Sequence, residues 1–150
     1  AGGLIVEGRY RFKGDNDFIL EGSSRINGTA IFSGALNLLS SSPWTVSGTL
    51  DFLTLSGSHP TFISPLPGGS IINSTDLKVE TITRRANSAV VSVHLFKNHH
   101  YELQSSPDLQ QESWQVVPGT STEGAGKIEE LLDSSPIPST RFYRVSTHSD

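Results

Sequence analysis

Hydrophobic and polar positions in the first half of the chain recur every 20 residues. An aliphatic residue stands two places before a glycine in Val6-Glu7-Gly8, Ile26-Asn27-Gly28, Val46-Ser47-Gly48 and Leu66-Pro67-Gly68. Four residues after each glycine come Phe12, Phe32, Phe52 and Ile72, and six after it Gly14, Gly34, Thr54 and Ser74. Recurrence of three columns at one period, without helical periodicity, predicts a β-solenoid in which each repeat makes one coil of short strands. Four coils are expected over residues 1–75, residue i lying beside residue i+20. Strands of neighbouring coils lie about 4.8 Å apart. Two apolar ladders should therefore form the core: Val6, Ile26, Val46 and Leu66, and Phe12, Phe32, Phe52 and Ile72. Glycine in each repeat suits a corner where a side chain would clash, or a positive φ. An antiparallel meander of evenly spaced hairpins is the competing arrangement.

Repetition ends after Ser74, and Asn73-Ser74-Thr75-Asp76 reads as a junction. Beyond it the period becomes two. Leu77 to Thr83 alternates, Arg84 to Asn87 reads as a turn, and Ala89, Val91, Val93 and Leu95 share one face of a second strand. Further strands are expected at Tyr101–Ser105, Ser113–Val117, Gly126–Leu132 and Arg141–Val145, separated by proline and serine clusters. Short strands at this spacing predict a small antiparallel β-sandwich over residues 76–150. The chain as a whole is expected to be all-β.

Within the second half, Tyr101-Glu102-Leu103-Gln104-Ser105-Ser106, Asp108-Leu109, Trp114 and the closing Phe142-Tyr143-Arg144-Val145 form a recognisable series. It resembles a C-terminal module of large secreted bacterial proteins, marked by a Tyr-x-Leu-Gln-x-Ser-x-Asp-Leu stretch, a tryptophan, a glycine-rich turn and a terminal Phe-Tyr-Arg-Val. Ile82-Thr83-Arg84-Arg85 and Val91-Ser92-Val93 match its opening strands, so the resemblance spans roughly residues 77–147. It departs in a longer interval from Asp108 to Trp114, filled by Gln110-Gln111-Glu112-Ser113. The resemblance implies a fibronectin-III-like sandwich attached to extracellular repeat, adhesin or polysaccharide-associated proteins, and no catalytic residue. It also implies Trp114 and Tyr143 in the sandwich core, where Tyr101, Leu103 and Val145 are expected with them.

Composition narrows the chemistry. The chain has no cysteine, which excludes disulfides, thiolate metal sites and a cysteine nucleophile. It has no methionine either, so Ala1 is expected to be exposed by processing or by the choice of the segment's boundary, and a small residue there is what signal-peptide cleavage leaves. A secreted, extracellular or cell-surface location is the expectation. A net charge of −4, with only Arg9, Arg11 and Lys13 approaching a basic cluster, gives no electrostatic basis for nucleic-acid binding. No apolar run approaches the roughly 20 residues of a membrane span.

Candidate sites are sparse. His59, His94, His99, His100 and His148 are the possible neutral metal ligands; His94 is expected opposite the apolar face of its strand, with His99 and His100 in a solvated turn. Gly14-Asp15-Asn16-Asp17 alternates oxygen ligands as calcium loops do, but lacks the glycine and distal glutamate of an EF-hand. A strand-connecting turn accounts for it equally well, which leaves Asp15 and Asp17 as the only calcium candidates, and no cofactor is expected. Glu129 and Glu130 are consecutive on a strand and face opposite sides, and no nucleophile elbow is present, so catalysis is not expected. Asn27-Gly28-Thr29 and Asn73-Ser74-Thr75 have the form of N-glycosylation sequons. Exposed Tyr10, Trp44 and Phe62 would suit a sugar-stacking platform.

Two functions remain open. One is a structural module whose uncapped first coil pairs head to tail with other copies through Leu4, Val6, Tyr10 and Phe12, building a fibre or stalk, unless the chain is a piece of a longer solenoid whose upstream coils occupy that edge. The other is a binding module for glycan or cell-wall polymer.

Overall fold

A computed structural model describes residues 2–136 and 140–148. The chain divides into two compact units, Ala1–Asp76 and Leu77–Asp150.

The first unit is a parallel β-solenoid. Its first coil contains β1 (Ile5–Val6), β2 (Arg9–Lys13) and β3 (Asp17–Leu20), and its second β4 (Ser24–Ile26), β5 (Thr29–Gly34) and β6 (Asn37–Ser40). The third coil contributes β7 (Trp44–Val46) and β8 (Thr49–Leu55), the fourth β9 (Ile63–Pro65) and β10 (Ser70–Ile72). Stacking produces three sides, ordered β1-β4-β7-β9, β2-β5-β8-β10 and β3-β6. On the third side the third coil continues without a strand, Leu38 N–H donating to the Ser58 carbonyl at 2.8 Å. The fourth coil lacks a strand there, since a 3-10 turn, Ser74–Asp76, follows β10 closely.

The 20-residue register holds from the first coil to the second on all three sides, as in Val6↔Ile26, Phe12↔Phe32 and Phe18↔Leu38. It then drifts. A bulge follows the Ile31↔Asp51 pair, and the ladder resumes with Ser33 beside Thr54. In the fourth coil Val46 pairs with Pro65, and Leu50 and Asp51 pair with Ile71 and Ile72. The expected uninterrupted columns are thus corrected at their ends. Leu66 is 47% exposed rather than a core rung, Ile72 sits beside Asp51 rather than Phe52, and Ile71 packs on the core. The offset between paired residues thus becomes 21 after the bulge, 19 between β7 and β9 and 21 between β8 and β10, and the strands stay stacked because backbone pairing tolerates slack between sides.

Glycine has a different task at each position. A Cβ on Gly28 would lie 2.0 Å from the Gly8 carbonyl oxygen, and one on Gly48 1.9 Å from that of Gly28. Here the requirement is close approach of successive corners. In the fourth coil this place belongs to Gly69, whose Cβ would meet the Val46 oxygen at 2.0 Å; Gly68 faces open space with φ +87°. Gly48→Ala is therefore expected to force two corners apart and cost about 3 kcal/mol or more, against about 1 to 2 for Gly68→Ala, where only left-handed strain is added. Chemical denaturation of the two variants checks this ordering.

Apolar side chains of the three sides meet inside. Ile26, Ala30, Phe32, Trp44, Val46 and Leu50 are fully buried, with Val6, Leu20, Leu36, Leu38 and Phe52 nearly so. Phe12 stacks on Phe32 with centroids 4.7 Å apart and planes at 14°, and Phe52 follows at 5.8 Å. Trp44 fills the space beside Phe32 at 6.0 Å.

The second unit consists of antiparallel sheets. They contain β11 (Val79–Arg85), β12 (Ser88–Leu95), β13 (His100–Ser106), β14 (Gln115–Val116), β15 (Thr122–Glu123), β16 (Lys127–Asp133) and β17 (Phe142–His148). One sheet runs β11-β12-β16; in the other β13 pairs with β14, β15 and β17. Ala89, Val91, Val93, Leu95 and Leu131 are buried from the first sheet, Tyr101 and Leu103 from the second. Tyr101 Oη accepts from the Phe96 N–H at 3.0 Å, and the Leu103 N–H donates to Thr120 Oγ1 at 3.1 Å. Val145 lies opposite Leu103 and is half-buried.

Trp114 does not join that core. It is half-buried, and the Arg144 guanidinium lies 4.4 Å from the centre of its ring. Arg144 pairs with Gln104, whose position alternates with the inward Leu103, so the tryptophan covers the outer face of the sheet. Arg144 Nε–H donates to Gln104 Oε1 at 2.7 Å and Gln104 Nε2–H to Glu102 Oε1 at 2.6 Å, fixing the guanidinium over the indole. Gln111–Ser113, in the longer interval before Trp114, forms a 3-10 turn.

Candidate functional site: the open edge of the first coil

β1, β2 and β3 are paired on the side of the second coil and, among the described residues, on no other. Of the four residues expected at this edge, Val6 is 1% exposed and points inward. Leu4 and Phe12 are half-buried and pack on the core, and the Leu4 N–H donates to Ser24 Oγ at 3.1 Å. Tyr10, opposite Ala30, is 56% exposed. Phe32 is fully buried where Phe12, one coil earlier, is not: the exposed ring surface belongs to the end of the stack.

Two polar ladders climb the corners to this edge. Asn27 Nδ2–H donates to Glu7 Oε1 at 2.8 Å while Asn27 Oδ1 accepts from Ser47 Oγ at 2.9 Å. Asn37 Nδ2–H donates to Asp17 Oδ1 at 3.0 Å while Asn37 Oδ1 accepts from the Ser58 N–H at 3.1 Å and Oγ at 3.2 Å. Both ladders run in one sense, amides donating towards the first coil, and both end there on an acidic side chain, Glu7 or Asp17. Glu7, Arg9, Arg11, Lys13, Asp15, Asp17 and Glu21 concentrate charge in the first coil, whereas the second carries Arg25 and the third Asp51. The ladders were legible in principle, because Glu7, Asn27 and Ser47 share one column of the repeat, as do Asp17 and Asn37.

The remaining candidates are dispersed. Asp15 Oδ1 accepts from Asn16 Nδ2–H at 3.1 Å and Asp17 from Asn37; among the described residues, no group of three or more His, Asp or Glu side chains converges as metal ligands. His59 stacks on Phe52 at 4.9 Å, and His94 contacts Phe96 at 4.7 Å. His99, expected in a solvated turn, is fully buried at a ring-centre distance of 6.4 Å from Tyr101, and His100 stacks on His148 at 5.8 Å. The aromatic platform loses its tryptophan: Trp44 is fully buried, while Tyr10 and Phe62 are 56% and 66% exposed. Ser106 and Ser113 line a cavity of about 290 Å³, but their hydroxyls stitch a turn. Ser106 Oγ accepts from the Asp108 and Leu109 N–H groups, and Ser113 Oγ–H donates to Asp108. The Asp108 carboxyl is held below its ordinary pKa by the hydrogen bonds it accepts, first from the Ser113 hydroxyl, then from the Gln110 N–H and the Ser106 hydroxyl.

Sequence reasoning missed the most elaborate polar cluster. Asp133, at the end of β16, is fully buried and accepts from Arg141 Nη1 at 2.6 Å, Tyr143 Oη at 2.9 Å, the Ser135 N–H at 3.0 Å and the Ser135 hydroxyl. Burial pushes its pKa up, but the hydrogen bonds from Ser135, Arg141 and Tyr143 outweigh it and hold the carboxyl below its ordinary value. Burial, then the neighbouring Asp133, raises the Tyr143 phenol. Ser135, Arg141 and Tyr143 converge on one acid, so the cluster reads as a strut between β16 and β17, with Arg141 also lining the cavity beside Ser106 and Ser113. No local pattern marks it, since its members are set together by the sandwich.

No protein-family model matches the chain, no curated protein shows significant similarity to it, and no solved structure does.

Proposed function

We propose that the chain is a non-enzymatic structural module of a secreted or cell-surface protein, and that its partner is another copy of itself, met at the outward apolar side chains of the first coil. The observation that carries this reading is that the first coil turns Ile5, Tyr10 and Ile19 outward, 67%, 56% and 66% exposed. Burying such apolar surface favours association. Resemblance of residues 77–147 to a fibronectin-III-like module of secreted bacterial proteins supports the location. The charge and sequence give no reason for nucleic-acid binding, and among the described residues no helix is long and apolar enough to cross a membrane.

Light scattering over a concentration series tests the reading. The weight-average mass should rise above the 16.2 kDa of one chain. Ile5→Lys together with Tyr10→Lys, at side chains 67% and 56% exposed, should hold it at one chain while circular dichroism stays unchanged. A native chain that remains at 16.2 kDa at high concentration rejects self-association. Retention on immobilised polysaccharide, lost on Tyr10→Ala and Phe62→Ala, would then favour the glycan-binding alternative.

A further inference from the structure

We infer that the cavity beside Arg141, in the second unit, binds a sugar acid, whose carboxylate the Arg141 guanidinium takes and whose ring hydroxyls Ser105 and Gln115 take.

The register of the second sheet assembles the site. Ser105 of β13 lies opposite Gln115 of β14 on one side and opposite Tyr143 of β17 on the other. Directly opposed residues share a face, so the three side chains form one row. Tyr143 Oη–H donates to the buried Asp133 at 2.9 Å, and Asp133 accepts from Arg141 Nη1–H at 2.6 Å. Arg141 is thereby drawn to Ser105 and Gln115, and with Ser106, Pro107 and Ser113 these residues line the cavity of about 290 Å³.

The guanidinium is fixed in place but only partly used. Its Nη1 spends both protons, on Asp133 and on Ser135 Oγ at 2.7 Å, and the side chain is 20% exposed. With Nη1 committed to the interior, Nε–H and Nη2–H, which have no acceptor among the described residues, are what Arg141 has left for the cavity that it lines. They form the side-on edge of the guanidinium, two parallel N–H groups at the spacing of a carboxylate's oxygens. Asp133, Ser135 and Tyr143 hold that edge still before a ligand arrives.

Donors outnumber acceptors across the lining. The Ser113 hydroxyl is committed to Asp108, and the Ser106 oxygen accepts from the Asp108 and Leu109 N–H groups. Ser105 and Gln115 make no side-chain hydrogen bond among the described residues, and each can both donate and accept, as a hydroxyl requires. Arg141 is the only charged residue lining the cavity among those described. Asp133 balances its charge, so affinity comes from directed hydrogen bonds rather than from net attraction. A peptide's terminal carboxylate would bring an alkyl group in place of hydroxyls, and Pro107 is the one apolar residue there to receive it.

Titration of the 150-residue chain with sodium D-glucuronate, followed by amide proton–nitrogen NMR spectra, tests this. Saturable shifts are expected at the Gln115 side-chain amide and at the Ser105 and Ser106 backbone. D-Glucose, lacking the carboxylate, and N-acetylglycine, lacking the hydroxyls, should each bind at least about fivefold more weakly. Arg141→Lys, which keeps the charge and loses the planar fork, should weaken glucuronate binding at least about tenfold. Because Arg141 also braces Asp133, thermal melts check that this variant folds. Gln115→Ala, at an exposed side chain, is the second test, with an expected loss of at least about threefold. Absence of saturable shifts with glucuronate, or an affinity left unchanged by Gln115→Ala or by folded Arg141→Lys, overturns the site. Glucose binding as tightly as glucuronate overturns the role of the carboxylate, and N-acetylglycine doing so overturns the sugar acid in favour of a peptide terminus.

Discussion

Phe32→Ala is expected to lower the unfolding free energy of the solenoid by about 3 to 5 kcal/mol, the range for deleting a large buried aromatic side chain. Phe32 is fully exposed to neighbours and not at all to solvent: Phe12 stacks on it from the first coil, Phe52 from the third, and Trp44 lies against its edge. Removing the ring leaves a gap between two aromatic rungs that are held at strand spacing by backbone hydrogen bonds and cannot collapse inwards. Phe12→Ala, at the half-buried end of the same column, should cost less. Urea denaturation followed by tryptophan fluorescence, with Trp44 reporting on the solenoid, separates the two; equal losses would refute the idea that stacking on both sides sets the cost.

Asp133→Ala should cost about 3 kcal/mol near neutral pH, the lower part of the range for breaking a buried ion pair, because the Arg141 side chain is 20% exposed and can turn to water. Tyr143 and Ser135 lose their acceptor as well. The pH dependence has a definite sign. Since the folded-state pKa of Asp133 lies below its ordinary 3.8, its ionised form is favoured by folding. This contribution is present in full above the unfolded-state pKa and is lost as pH falls through the folded one. The stability difference between native chain and variant should therefore be constant from about pH 5 to about pH 9, below the range where the Tyr143 phenol ionises, and shrink below about pH 4. Thermal melts of both proteins across that range measure it, and a difference independent of pH would show that the carboxylate is not the source.

The repeat was readable because a solenoid translates sequence period directly into neighbours: Phe12 and Phe32, 20 apart, become stacked rings. Its drift was not, because Gly68 and Gly69 are adjacent and only the stacking of Gly69 on Val46 selects between them. The same limit applies to Trp114. The motif announces it, but which face of the sheet it covers depends on the chain path through the 3-10 turn Gln111–Ser113. The candidate edge was likewise half visible. Leu4 to Phe12 could be placed in the first coil, yet the inward turn of Val6 and the carboxylate ends of both ladders needed side-chain geometry.

What the amino-acid sequence by itself determined is the all-β class, the coil period and the point where period 20 gives way to period 2, because these depend on which residues alternate and recur along one strand direction. What only the tertiary structure decided is everything set by contact between segments of unrelated spacing. Asp133 gathers Ser135, Arg141 and Tyr143 because a buried carboxylate must find donors wherever the two sheets bring them, and Trp44 lies inside rather than on a sugar-facing surface because three sides of the solenoid close around it.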